Sequence, residues 1–161
     1  MAHKELNISY EVFESAAALQ PDERELLDKA MGATDGAYAP FSEFFVGAAV
    51  ALADGSIWTG NNQENASFPA GTCAERSVLF YLGSQQQGAN IRKMAVRARS
   101  LRKAIKAPVM PCGVCRQVML EYEQMAQTDL VVLCQGAEGR IIRFTGVGRS
   151  LMPFAFDTDF S

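Results

Sequence analysis

Three of the four cysteines in this chain fall in two short segments, and each segment sits where a loop gives way to a helical pattern. One reads Thr72-Cys73-Ala74-Glu75-Arg76; the other reads Pro111-Cys112-Gly113-Val114-Cys115-Arg116-Gln117. Cys112 and Cys115 are three residues apart and so share one face of a first helical turn. A helix start favours thiolates, because its free N–H groups carry partial positive charge. Cys73 offers a third thiolate from the other helix start, so a shared site requires a fold that brings the two starts together. Three protein thiolates leave the fourth corner of a tetrahedral zinc open, as in catalytic rather than structural sites. A water in that corner ionises near neutral pH and becomes a nucleophile.

The rest of the chain has to supply such a fold from 161 residues, the size of one compact domain. Hydrophobic residues at 48% and charged residues at 20% exclude wholesale disorder. The net charge of −3 argues against a polyanion binder that works by overall charge. The most apolar stretch, Phe44 to Ala53, is too short to span a bilayer, and Met1 to Tyr10 hold no apolar signal core. The expectation is a soluble cytoplasmic protein, whose cysteines serve metal or thiol chemistry and not a disulfide framework.

Strand-like and helix-like runs alternate. Leu6, Ile8, Tyr10 and Val12 alternate with mostly polar neighbours, as in a half-buried strand. Asp22 to Tyr38 reads as a helix with Pro21 at its start. Val46 to Leu52 and Ser56 to Asn61 read as a hairpin around Ala53-Asp54-Gly55. Cys73 to Gln85 reads as a helix, Ile91 to Arg99 as a strand, and Cys112 to Met125 as a helix with Val114, Val118, Tyr122 and Met125 on one stripe. Leu130 to Cys134 and Arg140 to Thr145 close the pattern. This order indicates an α/β layered domain with a mixed central sheet, since the hairpin is antiparallel and helical crossovers favour parallel pairing.

Each residue singled out has a plainer reading. Thr72 and Glu75 fit a capping box, in which Glu75 only bonds backbone N–H groups. A lone Cys-x-x-Cys at a helix start also fits a redox pair. Cys134 is the one candidate for a fourth ligand of a closed site, but it ends an apolar run, where a core thiol is expected. His3 is the sole histidine and lies by the terminus, so no catalytic triad is built on it. Stronger than any single segment is the conjunction of Cys-x-Glu, about 35 residues, and Pro-Cys-x-x-Cys, a spacing pattern known from zinc nucleobase deaminases with His or Cys in first position.

The match extends beyond that pattern. Tyr38-Ala-Pro-Phe-Ser-Glu-Phe44, Val46-Gly-Ala-Ala, Asn62-Gln-Glu-Asn65, Cys73-Ala-Glu-Arg76, Pro111-Cys-Gly-Val-Cys-Arg-Gln117 and Leu151-Met-Pro153 through Ala155-Phe156 occur in order. From about Asp22 to Phe156 the sequence resembles the small cytidine deaminases of the homotetrameric, three-cysteine zinc type. The resemblance implies a three-layer α/β/α domain over 22–161, with 1–21 as an N-terminal extension supplying an edge strand. It implies one Zn²⁺ per chain on Cys73, Cys112 and Cys115, with zinc-bound hydroxide attacking C4 of cytidine or 2′-deoxycytidine and Glu75 shuttling protons. Asn62 and Glu64 would bond ribose hydroxyls, Glu64 accepting from the 3′ position. The N–H of Ala74 would hold the pyrimidine 2-carbonyl, Phe44 would stack on the base, and Phe156 would close over it from a neighbouring subunit. Arg76 would bond a ligand thiolate and offset the negative charge of three sulfurs on one zinc.

The sequence departs from the family pattern at Gln63, Phe41 and Phe154, and in the longer segment Ser100 to Ala107. A polynucleotide-editing enzyme with the same zinc core is the rival reading. Arg92, Lys93, Arg97, Arg99, Arg102, Lys103 and Lys106 form a basic run that would serve it. The commoner use of such a run is a solvated strand edge and loop. Relatives acting on other cytosine-bearing compounds share the zinc motifs. The partner implied is a small-molecule nucleoside, with no membrane and no nucleic acid.

Overall fold

The computed structural model describes residues 1–156. The strands are β1 (Glu11–Phe13), β2 (Phe44–Leu52), β3 (Ile57–Asn61), β4 (Ile91–Ser100), β5 (Val131–Gln135) and β6 (Ile141–Thr145). The helices are α1 (Pro21–Ala33), α2 (Ala74–Ser84), α3 (Gly113–Ala126) and the short α4 (Val147–Ser150). They build one six-stranded sheet in the order β1-β6-β5-β4-β2-β3. The sheet is mixed: β4 and β5 run parallel across the α3 crossover, and the other described pairs are antiparallel. Among the described residues no helix is long and apolar enough to cross a membrane.

The period of two in a strand sends successive side chains to opposite faces, and here that parity divides the core. Ala48, Val50, Met94, Val96, Val132, Cys134 and Phe144 pack with residues of α2 and α3. Their odd-numbered neighbours Ala49, Ala95, Leu133 and Ile141 pack with Leu26, Leu27 and Ala30 of α1. Helices therefore lie on both faces, giving the three layers expected. Because both faces are covered, β2 carries a near-continuous apolar run in place of alternation, whereas in β4 the continuous apolar stretch is only Met94 to Val96.

Small residues on β2 and β3 set how close the helices come. A Cβ at Gly47 would overlap the Ala30 carbonyl of α1. One at Gly60 would lie 2.8 Å from the Val78 nitrogen and 2.9 Å from the Ala74 carbonyl oxygen, both in α2. Gly60 thus fixes the height at which α2, and with it Cys73, sits on the sheet.

At the far edge, a buried carboxylate ties α1 to the sheet. Glu23 accepts the Gln20 N–H at 3.3 Å, closing the start of α1, and meets Arg143 of β6 at 3.0 Å. Arg143 also pairs with Glu11 at 2.7 Å, which docks β1.

Three expectations change. The N-terminal strand spans only Glu11–Phe13, and Leu6, Ile8 and Tyr10 are exposed outside it. In the register of β1 on β6, Ile8 would fall opposite Gly146, where φ at 77° turns the chain into α4, so pairing cannot reach Ile8 or Leu6. The helix read as Asp22 to Tyr38 stops at Ala33, where the Thr34 hydroxyl bonds the Met31 carbonyl at 2.7 Å and one 3-10 turn follows. The inward stripe of α3 is Cys115, Met119 and Tyr122, with Leu120 also buried; Val114 and Met125 face outward.

Gly60→Val should lower the unfolding free energy by about 1–3 kcal/mol, the usual cost of overpacking, read as a lower urea midpoint. Gly32→Ala, in open space within α1, should move the midpoint the other way by a few tenths to about 1 kcal/mol. Equal midpoints for Gly60→Val and the parent would refute the close approach.

Candidate active site

Cys73 and Cys112 are the N-cap residues of α2 and α3. Both are in extended conformation, with ψ at 154° and 166°. Each therefore stands just outside its helix, facing the unpaired N–H groups of the first turn. Cys115 follows one turn into α3 and is fully buried. The three sulfurs lie within 4.8 Å of one another, with Cys73 to Cys112 at 3.9 Å and Cys112 to Cys115 at 3.5 Å. All are free thiols.

This donor set suits zinc: three soft sulfurs at the mutual spacing of tetrahedral ligands around one ion. Among the described residues no other group of three or more metal-ligating side chains converges in this way. Cys134 stays outside it. Its thiol is wholly buried in the core, and burial pushes it up to about 12.

The surroundings favour thiolate at Cys73. A hydrogen bond from Cys115, followed by the Arg76 guanidinium 3.6 Å from the sulfur, holds Cys73 down at about 5 against the opposing effect of burial. Among the described residues Arg76 Nε has no hydrogen-bond partner. Through the contact of its Nη2 with the Cys73 sulfur, Arg76 is placed to offset thiolate charge.

Glu75 is only 4% exposed. Burial raises its carboxyl above the ordinary range, and the Cys73 thiolate adds to the rise. The capping-box alternative does not hold, because the N-cap is Cys73 and no side chain caps α2. Residues two apart within a regular helix point away from each other. Cys73 is extended, so helical spacing does not apply between it and Glu75, and the carboxylate shares a hydrogen bond with the Cys115 thiol.

These groups form one end of a cavity of about 470 Å³, of a size that takes a small organic ligand. Phe44, Asn62, Glu64, Ala74 and Arg76 line it, with Cys73, Cys112 and Glu75. Asn62 uses its amide on the strand β2: Oδ1 accepts the Val46 N–H at 2.7 Å, and Nδ2 donates to the Phe44 carbonyl at 2.9 Å. Glu64 Oε2 accepts the N–H groups of Phe41 and Ser42 at 2.9 and 3.3 Å. The Ser42 hydroxyl and these N–H groups hold Glu64 below the usual carboxylate range. Phe156 does not line this cavity of its own chain. It is 72% exposed, and Gln117 bonds its backbone at both N–H and C=O, at 3.2 and 2.9 Å.

Sequence reasoning missed part of the wall. Phe68 stacks edge-on against Phe41, centroids 6.0 Å apart, and Val109 and Met110 enter from the approach to Pro111. The only signal was the Phe68-Pro69 turn just before Cys73. The basic run is largely absorbed within the chain. Arg92 bonds the Ala89 carbonyl, Lys93 pairs with Asp22, Arg97 bonds the Gly136 and Ala137 carbonyls, Arg99 pairs with Asp35, and Arg102 pairs with Glu43.

Comparison with known proteins agrees with this geometry. Residues 20–132 match the family described as "Cytidine and deoxycytidylate deaminase zinc-binding region". A cytidine deaminase of Halalkalibacterium halodurans is 39% identical over 138 residues, covering 86% of this chain and 96% of that protein. The crystal structure of a cytidine deaminase from Burkholderia pseudomallei superposes with a TM-score of 0.70 at 34% identity, covering 82% of this chain and 97% of that one. That of the Mycobacterium tuberculosis cytidine deaminase gives 0.64 at 32%, covering 86% and 99%.

Cys134→Ser should keep about one zinc per chain, measured by metal analysis after gel filtration, while losing stability because a hydroxyl replaces a buried thiol. Cys112→Ser should lose most of the metal. Loss of zinc in Cys134→Ser would show a closed four-cysteine site.

Proposed function

The chain belongs to the cytidine and deoxycytidylate deaminase family, and on that footing we propose that it hydrolyses free cytidine and 2′-deoxycytidine to the uridine forms with release of ammonia. The observation that carries this reading is the convergence of Cys73, Cys112, Cys115 and the buried Glu75 at one end of a nucleoside-sized cavity. Zinc held by the three cysteines would supply Lewis acidity that makes water nucleophilic near neutral pH.

The protein's own groups do the rest. Glu75 accepts a proton from the attacking water and passes it to N3 of the ring as oxygen bonds to C4. It then takes the remaining proton from the C4 hydroxyl so formed and delivers it to the departing amine, so that the C4–N bond breaks, the C4 carbonyl forms and ammonia leaves. Its burial favours this, since a carboxyl raised toward neutrality both takes and gives a proton. The N–H of Ala74 belongs to the first turn of α2, which has no intrahelical acceptor, and it holds the pyrimidine 2-carbonyl. Phe44 stacks on the base. Asn62 and Glu64 hold the ribose, the ionised Glu64 accepting from the 3′-hydroxyl with the acceptor capacity its two backbone bonds leave. Arg76 keeps the sulfur cluster from becoming too electron-rich for Lewis-acid work.

The active form is a homotetramer in which Phe156 of one subunit covers the base in the next. Its exposure in the single chain supports this, as do the outward Phe80 and Tyr81 of α2 and Val114 and Met125 of α3. The catalytic unit is 22–161, and 1–21 is an extension; the family match begins at residue 20. A cytoplasmic location fits four free thiols. The intramolecular bonds of the basic run favour a free nucleoside over a polynucleotide.

Glu75→Ala should keep zinc and fold while ammonia release from cytidine falls by roughly 10²–10⁴-fold or more; retention of more than about a tenth of the parent rate would remove Glu75 from the mechanism. Sedimentation should give a particle of four chains, and a mass of one chain, 17.5 kDa, would remove the shared site.

A further inference from the structure

The segment after β4 folds back onto the turn Phe41–Glu43, which lies at the rim of the cavity. The Leu101 N–H donates to the Glu43 carbonyl at 3.2 Å. Arg102 donates from Nε to the Glu43 carboxylate at 3.2 Å and from Nη2 to the Phe41 carbonyl at 3.0 Å. The Arg102 N–H meets Ser100 Oγ at 3.1 Å, which sets the direction of the segment as it leaves β4. One guanidinium thus grips two points of the turn, a use of its planar fork that an ammonium cannot copy.

The turn needs holding. Glu43 has φ at 53°, in the left-handed region that a residue with a Cβ adopts only when its surroundings enforce it. Leu101 and Arg102 bond that residue from its carbonyl and its side chain. The same turn supplies both N–H groups that fix Glu64 Oε2. A chain of direct bonds therefore runs from Arg102 through the Phe41 peptide to the carboxylate read as the ribose acceptor.

We propose that Arg102 is a positioning residue for the sugar subsite: by clamping Phe41 and Glu43 it orients Glu64 toward the 3′-hydroxyl of the nucleoside. The inference rests on the reading of Glu64 given above. Arg102 touches neither substrate nor metal and acts only through the turn. Its charge works in the same direction, because it is one of the groups that keep Glu64 ionised and so an acceptor. Arg102 lies in the segment Ser100 to Ala107, where this chain departs in length from the family pattern. Sugar recognition is thereby tied to the segment that leads from β4 into the second cysteine motif.

The test is steady-state kinetics of the zinc-loaded enzyme with cytidine and 3′-deoxycytidine, for the parent, Arg102→Met, Arg102→Lys and Glu64→Gln. Arg102→Met should lower kcat/KM for cytidine by about 5–50-fold, mainly through KM, and leave 3′-deoxycytidine within about twofold. Arg102→Lys should recover part of the loss, and zinc content should not change. Equal losses on both substrates would assign Arg102 a purely structural role and overturn the proposal, as would no loss on either. Glu64→Gln separates the two claims. If it leaves discrimination intact, the reading of Glu64 fails and this inference with it. If it abolishes discrimination while Arg102→Met preserves it, only the present inference fails.

Discussion

Two helices of this protein begin at the same point in space, and the arrangement depends on what is placed between them. The N-termini of α2 and α3 each carry partial positive charge from unpaired N–H groups. Brought together alone, the two ends would repel. Three sulfurs at the junction, one of them held as thiolate, turn that conflict into attraction. Zinc would add two positive charges to three negative ones, and Arg76 answers the remainder from the side. The same junction closes one end of the cavity, so the three cysteines, Glu75 and the Ala74 N–H all come from the starts of two helices.

The sheet makes that junction possible through spacing. Gly60 lets α2 lie close enough for its backbone to touch β3, and α3 is placed by the parallel crossover from β4 to β5. On the opposite face, α1 rests on Gly47 and on the alanines of β2. The two faces carry different tasks. The α1 side is anchored by packing and by the Glu23–Arg143–Glu11 ion network, while the α2–α3 side carries the chemistry. Burying the Glu75 carboxyl costs stability, since burial disfavours its charged form.

Much of the site was legible because its chemistry restricts residue type. Few side chains can replace Cys73, Cys112, Cys115 and Glu75, and helix-start signals beside them give their placement. The apolar run of β2 was legible for a similar reason, since a strand covered on both faces has few polar positions. The orientation of α3 was not. Val114, Val118, Tyr122 and Met125 form a plausible apolar stripe, but Cys115 must point at the other thiols, and that turns the helix so that Val114 and Met125 face outward. The alternation at Leu6 to Val12 misled at its first half because a strand needs a partner along its length, and Gly146 ends β6 before it could reach Ile8 or Leu6. The grip of Arg102 on the turn before Phe44 spans about 60 residues, and no local pattern announces a contact of that separation.

The junction of the two helix starts also bears on how the protein is made. Cys73 is synthesised 39 residues ahead of Cys112, which at ribosomal rates is an interval of roughly 2–8 s. In that interval α2 can pack on β2 and β3, which are already made, but α3 is missing from the junction. The groups that most strongly acidify Cys73 include Cys115, which has not yet been added. Until then Cys73 has only Arg76 to favour its thiolate. Its full acidification arrives together with the other two cysteines, so the order of the chain brings the strongest thiolate and the complete zinc-ligand set into being at the same stage of synthesis.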